Sequence, residues 1–565
     1  MLLARTTRWS GAPLVFGRRL LAIGQPSAAL FLALLMAAIV LRAYWVVHHS
    51  TVLDENGSEY ARIAENLLHH GTYVGLFEGP ELMFPPLFPV LLVLGSLFTG
   101  SIAAAARLIP FLAGVLLVPI AFALARLVYG LRVALGVAAL TALHPVFIDL
   151  SSTAYSESIY LPLMLAGLYW ALRALDSGSR AHTVCCGTMF GLAYLTRPEA
   201  LLYPIVVLAA MLTTDLRRSG FARRCVVRSL CLLTPIVVLA APYVAYLSVH
   251  TGGLRFEGKG IMNYTIGERR NVGIPHHEAS LGIGPNLSED GPQLSPNHFI
   301  AAAHRPPSIR ELANYWVESA RRNKTTVWEL LFAPQFGSIL AIGLIVLGLF
   351  RRPWHQRRAV QEGVLIGVAL GHVFLLFGLH AVLVRYTFPI FAVSLFWVSK
   401  GIEEAAQWGA GTARRALPLL CRPPARWAGT GIRCVLIAVL LLQALWGMRW
   451  GPLEDQGSKT VLLKEVGTWL GHHQPGPKRV MTMHPQVAYY SGGMLLLMPP
   501  AEASLALRYV HLKHPDFIVL LEGDGSTVAY LKQWLDQGIP DGAATLIYRA
   551  GNASQGGVAI YEWRG

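Results

Sequence analysis

Apolar runs of membrane-spanning length recur along the first 450 residues, and nothing else in the sequence limits the fold as tightly. A helix needs about 20 apolar residues to cross the hydrocarbon core of a bilayer. Such spans are read near 27–48, 104–126, 132–150, 157–176, 181–197, 199–215, 229–249, 335–351, 360–380, 383–399 and 432–449, eleven in all, some of them short. One soluble core could not bury that many apolar helices. Composition agrees: 54% of the 565 residues are hydrophobic and only 14% are charged, against about 25% in soluble domains. The fold class is a polytopic α-helical membrane protein.

The formal net charge of +15 raises the question of nucleic acid. The placement of the basic residues answers it. They cluster between apolar runs, where topology control and anionic headgroups account for them, and no DNA- or RNA-binding module is visible. The basic N-terminus, 1–26, with Arg5, Arg8, Arg18 and Arg19, reads as the cytoplasmic end of an uncleaved signal anchor. With that end inside, the inner segments are 126–132, 173–180, 216–228, 351–358 and 400–433. They carry Arg126 and Arg132; Arg173 and Arg180; Arg217, Arg218, Arg223, Arg224 and Arg228; Arg351, Arg352, Arg357 and Arg358; and Lys400, Arg414, Arg415, Arg422, Arg426 and Arg433. The short outer turns 151–156 and 380–383 hold no Lys or Arg, the asymmetry of a multi-pass inner-membrane protein.

The run FPPLFPVLLVLGSLFTG (84–100), with three prolines, suits an interfacial or re-entrant helix in the first outer loop. The stretch 55–71 reads as a second surface helix, with Ile63, Ala64, Leu67 and Leu68 at helical spacing and Gly71 as its C-cap. The transmembrane unit is 27–449, with outer loops at 49–103 and 250–334. The second loop is polar and rich in Gly, Pro, Asn and His. From 450 to 565 the period changes. Helices at 459–472, 485–490, 501–513 and 526–537 alternate with strands at 479–483, 495–499, 517–522, 544–548 and 557–562, which predicts an extracytoplasmic α/β domain. It has no GxGxxG or phosphate-loop motif. The cysteines (185, 186, 225, 231, 421 and 434) match no zinc or disulfide framework and fall outside the outer loops.

Polar residues gather where the outer loops meet the membrane. Asp54 and Glu55 follow the first span, and adjacent carboxylates leaving a bilayer need water or a site. Glu157 follows the turn 151–156, Arg197 ends the fifth span with Glu199 beside it, Lys259 lies in the second loop, and Arg385 and Tyr386 open the tenth span. A phosphate needs Arg or Lys, and activating a hydroxyl needs a base. Plainer roles compete. Arg197 and Arg385 suit snorkelling, Glu55 or Glu59 a helix N-terminus, Glu157 or Ser156 a cap, and Lys259 a solvated loop. The pairs His48–His49, His69–His70 and His276–His277 read as interfacial or surface residues. The acids could hold a divalent cation, although no tight ligand set is apparent.

Five segments carry a resemblance: LDENGSEYARIAENLLHHGTY, MFPPLFPVLL, ALHPVFIDLSSTAYSESIYLPLMLAGLYWALRA, FGLAYLTRPEALLYP and VRYTFPIF. Their order and topological placement over residues 27–400 resemble the GT-C superfamily of polyprenyl-phosphate-sugar glycosyltransferases. Within it, they are most similar to the bacterial aminoarabinose transferase and protein O-mannosyltransferase group, families 39 and 83. The resemblance implies an enzyme, with Asp54 as catalytic base beside Glu55 and with Glu157 in a place where the family usually has Asp. It implies that Arg197 and Arg385 meet the lipid phosphate, that the Gly258-Lys259 pair matches a family Gly-Lys, and that Tyr386 lies in the same donor site. The implied donor is a polyprenyl-phosphate-linked sugar; the acceptor is a lipid such as lipid A, a glycan, a glycolipid or a protein; inversion at C1 is the implied course. Two other readings stay open, a transporter or flippase of lipid-linked sugars and a non-catalytic envelope assembly factor.

Overall fold

The computed structural model describes residues 25–49, 52–216, 221–274, 279, 295–301, 307–333, 336, 339–350, 356–416, 425–449, 456–526, 528–550 and 557–565. The basic residues Arg5, Arg8, Arg18, Arg19, Arg217, Arg218, Arg351, Arg352 and Arg422, with Cys421 and His276–His277, lie outside these. The chain is a helical membrane protein with a small C-terminal sheet domain. Among the described residues, seven helices are long and apolar enough to cross a bilayer: Pro26–His49, Ile102–Tyr129, Ser156–Ser177, Pro198–Asp215, Arg223–Thr251, Gln356–Phe377 and Trp427–Met448. All seven coincide with expected spans.

The other four expected spans take different forms. The run 132–150 is split into Leu131–Leu143 and Pro145–Leu150. Pro145 forces His144 into an extended conformation (ψ 126°), which breaks the helix. The run 181–197 stops at Tyr194, and 335–351 is a 12-residue helix, Ile339–Phe350. The run 383–399 begins with a 3-10 turn, Val384–Thr387, followed by a helix that continues to Ala416, well into the segment read as the inner loop 400–433.

Small residues let the helices close on one another, as bilayer packing favours. A Cβ on Gly187 would lie 2.2 Å from the carbonyl oxygen of Leu232, so the backbones of Arg180–Tyr194 and Phe221–Thr251 touch.

In the segment 49–103, expected to be the first outer loop, helices form where the pattern places them. Glu55–His70 is a helix that buries Tyr60, Ile63 and Ala64, and Gly71 ends it in the left-handed conformation (φ 66°). Leu87–Thr99 is a 13-residue helix packed against Ile102–Tyr129. The polar segment 250–334 also forms helices within its described residues. It contains the helices Lys259–Asn271 and Ile309–Leu331, the latter opened by a capping box between Ser308 and Glu311.

The C-terminal strands are β1 (Arg479–Thr482), β2 (Met494–Leu497), β3 (Phe517–Leu521), β4 (Ala544–Ala550) and β5 (Val558–Trp563), in sheet order β2-β1-β3-β5-β4. β1 runs parallel to β2 and β3, while β5 is antiparallel to β3 and β4. All of β3 is buried, as the unbroken apolar run FIVLL requires of a central strand. One apolar cluster joins this domain to the first outer loop, mixing Leu53, Tyr60, Phe84 and Phe88 with Leu463, Val466, Val487 and Phe517.

Candidate active site

Asp54 is the N-cap of Glu55–His70 and accepts from Gly57 N–H at 2.7 Å. Its second carboxylate oxygen accepts from Ala154 N–H at 3.1 Å, so the side chain ties the first outer loop to the turn before Ser156–Ser177. Asp54 thus caps the helix, and Glu55 lies in its first turn, where the dipole favours an acid; Glu59 does not. Burial pushes the Asp54 carboxyl up to about 6, against the Gly57 amide and the Arg385 charge, which pull it down. Glu55 stands exposed one residue on, its charge acting on Asp54. Glu59 points the other way. It is buried and accepts from Leu76 N–H at 3.0 Å, and burial together with the Glu81 carboxyl holds it well above the usual carboxylate range.

Glu157 is neither a cap nor solvated. Tyr155 occupies the N-cap position without a side-chain cap, and Ser156 Oγ donates to Glu157 Oε2 at 3.2 Å. Glu157 Oε1 pairs with Arg197 Nη1 and lies 3.6 Å from Arg385 Nε. The second fork of Arg197 donates to Glu199 Oε1 at 2.9 Å. Arg197 reaches this position because Pro198 holds the preceding residue extended (φ −152°, ψ 124°), turning the chain between two helices. Buried between two carboxylates, it is not a snorkelling side chain.

Arg385 sits in the 3-10 turn Val384–Thr387, with its guanidinium 4.9 Å from the Tyr155 ring centre. The Tyr386 ring stacks under both guanidinium groups, 5.1 Å from Arg197 and 5.6 Å from Arg385. Asn56, with its amide oxygen turned inward, accepts from Arg385.

Lys259 is the first residue of Lys259–Asn271, and its ammonium lies 4.7 Å from the Phe84 ring centre. It is not a solvated loop residue. Burial and the nearby Arg197 charge lower it to about 8, with Glu199 and Glu157 opposing. Glu257, two residues earlier, was not among the residues singled out from the sequence. Burial and the Glu199 charge push it up to about 7. Nothing in the local pattern RFEGKG marks it, because its partners come from other segments.

Six of the seven expected residues thus meet at one end of the bundle, around Glu157, with Glu55 at the rim. Two planar forks and an ammonium converge, the donor set that a phosphate takes, beside a carboxylate whose affinity for protons lies near neutral pH. Among the described residues no group of three or more His, Cys, Asp or Glu is placed to hold a metal ion.

Residues 84–246, less than a third of the chain, match the family model for dolichyl-phosphate-mannose-protein mannosyltransferase. That stretch holds Glu157 and Arg197; Asp54 lies before it, and Lys259 and Arg385 lie after it. Several solved structures share the fold. The Archaeoglobus fulgidus oligosaccharyltransferase in its apo form has a TM-score of 0.59 at 15% identity, over 89% of this chain and 71% of that one. The oligosaccharyltransferase AglB from the same organism, in complex with an inhibitory peptide and a dolichol-phosphate, has 0.53 at 14% identity, over 94% and 74%. ArnT from Cupriavidus metallidurans bound to undecaprenyl phosphate has 0.50 at 15% identity, over 94% and 97%. No curated protein matches the sequence. The chain shares the fold of these oligosaccharyltransferase and ArnT structures.

Proposed function

We propose that this chain is an inverting membrane glycosyltransferase that moves a sugar from a polyprenyl phosphate to an envelope acceptor at the extracytoplasmic face of the inner membrane. The observation that carries the reading is the meeting of Arg197, Arg385 and Lys259 around Glu157, next to Asp54. The neighbours' bound dolichol-phosphate and undecaprenyl phosphate support a lipid-phosphate donor. The basic segments between spans support the assignment of faces.

In this mechanism Asp54 takes the proton of an acceptor hydroxyl. The acceptor oxygen attacks C1 of the sugar from the side opposite the phosphate. The bond between C1 and the phosphate oxygen breaks, its electron pair leaves with the polyprenyl phosphate, and C1 inverts. The two arginines and Lys259 stabilise the charge that develops on the departing phosphate. Glu157 and Glu199 hold Arg197 in place. Glu55 stands where an acceptor would arrive. The acceptor class is lipid A or another lipid, a glycan or a protein. Mass spectrometry of envelope lipids and glycans from cells with and without the gene tests the function. A single glycan, lipid or protein lacking one sugar in the deletion is the expected result; identical envelopes would contradict it.

A bell-shaped kcat/KM profile follows from the two displaced groups, since that ratio reports the free enzyme. Asp54 acts unprotonated, so activity is lost as pH falls through about 6. Lys259 acts protonated, so activity is lost as pH rises through about 8. Lys259→Arg keeps the cation at every accessible pH and should move the alkaline limb upward by at least one unit, leaving the acid limb in place. An unmoved alkaline limb would assign it to another group.

A further inference from the structure

The C-terminal domain reaches the first outer loop through a short series of polar contacts. Leu53 N–H donates to the Tyr490 hydroxyl at 3.0 Å. Arg62 donates to the Tyr489 carbonyl at 3.0 Å, and the Tyr489 hydroxyl donates to Glu65 at 2.6 Å. Further along, Leu495 N–H donates to the Leu76 carbonyl at 2.8 Å, and Lys513 lies 3.6 Å from Glu78. The first of these contacts falls on the residue before Asp54. Tyr490 ends the helix Pro485–Tyr490, which packs on Glu55–His70. That helix is pressed inward by Gln456–His473, where a Cβ on Gly467 would sit 2.7 Å from the Tyr490 Cβ.

The rest of the Asp54 support comes from the membrane unit. Its carbonyl accepts from Ser58 N–H at 2.9 Å, and its carboxylate takes the Gly57 and Ala154 amides. These bonds fix the chain after Asp54 and the side chain itself. Before Asp54, the buried Leu53 is held by Tyr490. A buried amide that loses its acceptor costs more than the net worth of the bond, so the chain there would shift to find water.

We propose that Tyr490 is a positioning residue for Asp54, through which the C-terminal α/β domain sets the geometry of the transfer site. The proposal rests on Asp54 as the base. It gives the domain a role in the reaction itself, in addition to any contact it makes with acceptor. Loss of the hydroxyl frees the Leu53 amide, lets Asp54 shift from its aim at the acceptor and lets water approach its carboxylate. Solvation of the charged form then lowers the proton affinity that burial had raised.

The test is Tyr490→Phe in the full-length protein reconstituted in lipid, with a synthetic polyprenyl-phosphate sugar and its acceptor. Phe keeps the ring, its packing and its place beside Lys464, so folding should be preserved. The expected result is a fall in kcat of about fivefold, the size of one hydrogen bond, with an unchanged KM for donor and an acid limb of kcat/KM shifted to lower pH. Tyr530→Phe removes a hydroxyl that donates to the Pro499 carbonyl elsewhere in the same domain, and should leave both kcat and the limb unchanged. Tyr490→Phe with wild-type kcat and an unmoved limb would overturn the proposal, as would equal losses in both variants. Asp54→Asn, measured alongside, separates the two readings. If it retains turnover, the base assignment fails; if it is inactive while Tyr490→Phe is normal, only the positioning role fails.

Discussion

Asp54→Asn is expected to lower turnover by about 10²–10⁴-fold, the range typical of losing a general base, while binding of the polyprenyl-phosphate donor persists. Asn keeps the size of the side chain, and its oxygen can still cap the helix by accepting from Gly57 N–H. Its NH2 group cannot accept from Ala154 N–H, so a modest loss of stability should accompany the loss of rate. The two are separable by comparing the melting temperature with turnover at saturating donor. Near-normal turnover in Asp54→Asn, with turnover abolished in Glu55→Gln, would move the base to Glu55. Glu157 is a poor candidate for that part, because its Oε1 is engaged by Arg197 with Arg385 close by.

Arg197→Gln is expected to be the most destabilising change in the site, by about 3–5 kcal/mol, the cost of leaving a buried ionic partner without its opposite charge. Arg197 and Glu157 are both buried, and Glu199 shares the same guanidinium. Arg385→Gln should cost much less stability. Arg385 is more open to solvent, and its approach to Glu157 is looser at 3.6 Å. Its loss should appear instead in donor binding and turnover, and Arg385→Lys should recover little, since an ammonium cannot replace a planar fork. Thermal unfolding of the two variants in detergent checks the order. Equal melting temperatures would show that the Glu157–Arg197–Glu199 group does not hold this end of the bundle together.

Much of the architecture could be read from hydropathy alone. Seven expected spans match long apolar helices, and every C-terminal strand lies close to its expected place, because side-chain period and apolar run length are local properties. The misses share a different cause. His144 breaks a run whose composition is continuous, through the proline that follows it. The helix from Phe388 runs to Ala416, past the end of the apolar run, and along it Glu403 pairs with Arg433 and Lys400 with Glu404, pairings that hydropathy does not register. In the site, sequence position brought Asp54, Glu157, Arg197 and Arg385 to one face but not to one another. Whether Glu157 is a cap or an ionic partner depends on residues 40 and more positions away. Lys259 and Glu257 were hardest to read, since a charged loop residue is usually solvated and only the packing of Phe84 over the loop reveals otherwise. The docking of Tyr490 on Leu53 spans 437 positions, and no local pattern encodes it.

The central claim is that one phosphate site formed by Arg197 and Arg385 stands beside Asp54. The most direct measurement is the structure of the full-length protein in lipid with a polyprenyl monophosphate bound. The account predicts phosphate oxygens within about 3 Å of both guanidinium groups, the Lys259 ammonium on the same headgroup and the Asp54 carboxylate facing the side where C1 of a sugar would lie. A phosphate seated away from both arginines, for example in the cleft between Arg62, His69 and Ser101, would contradict it.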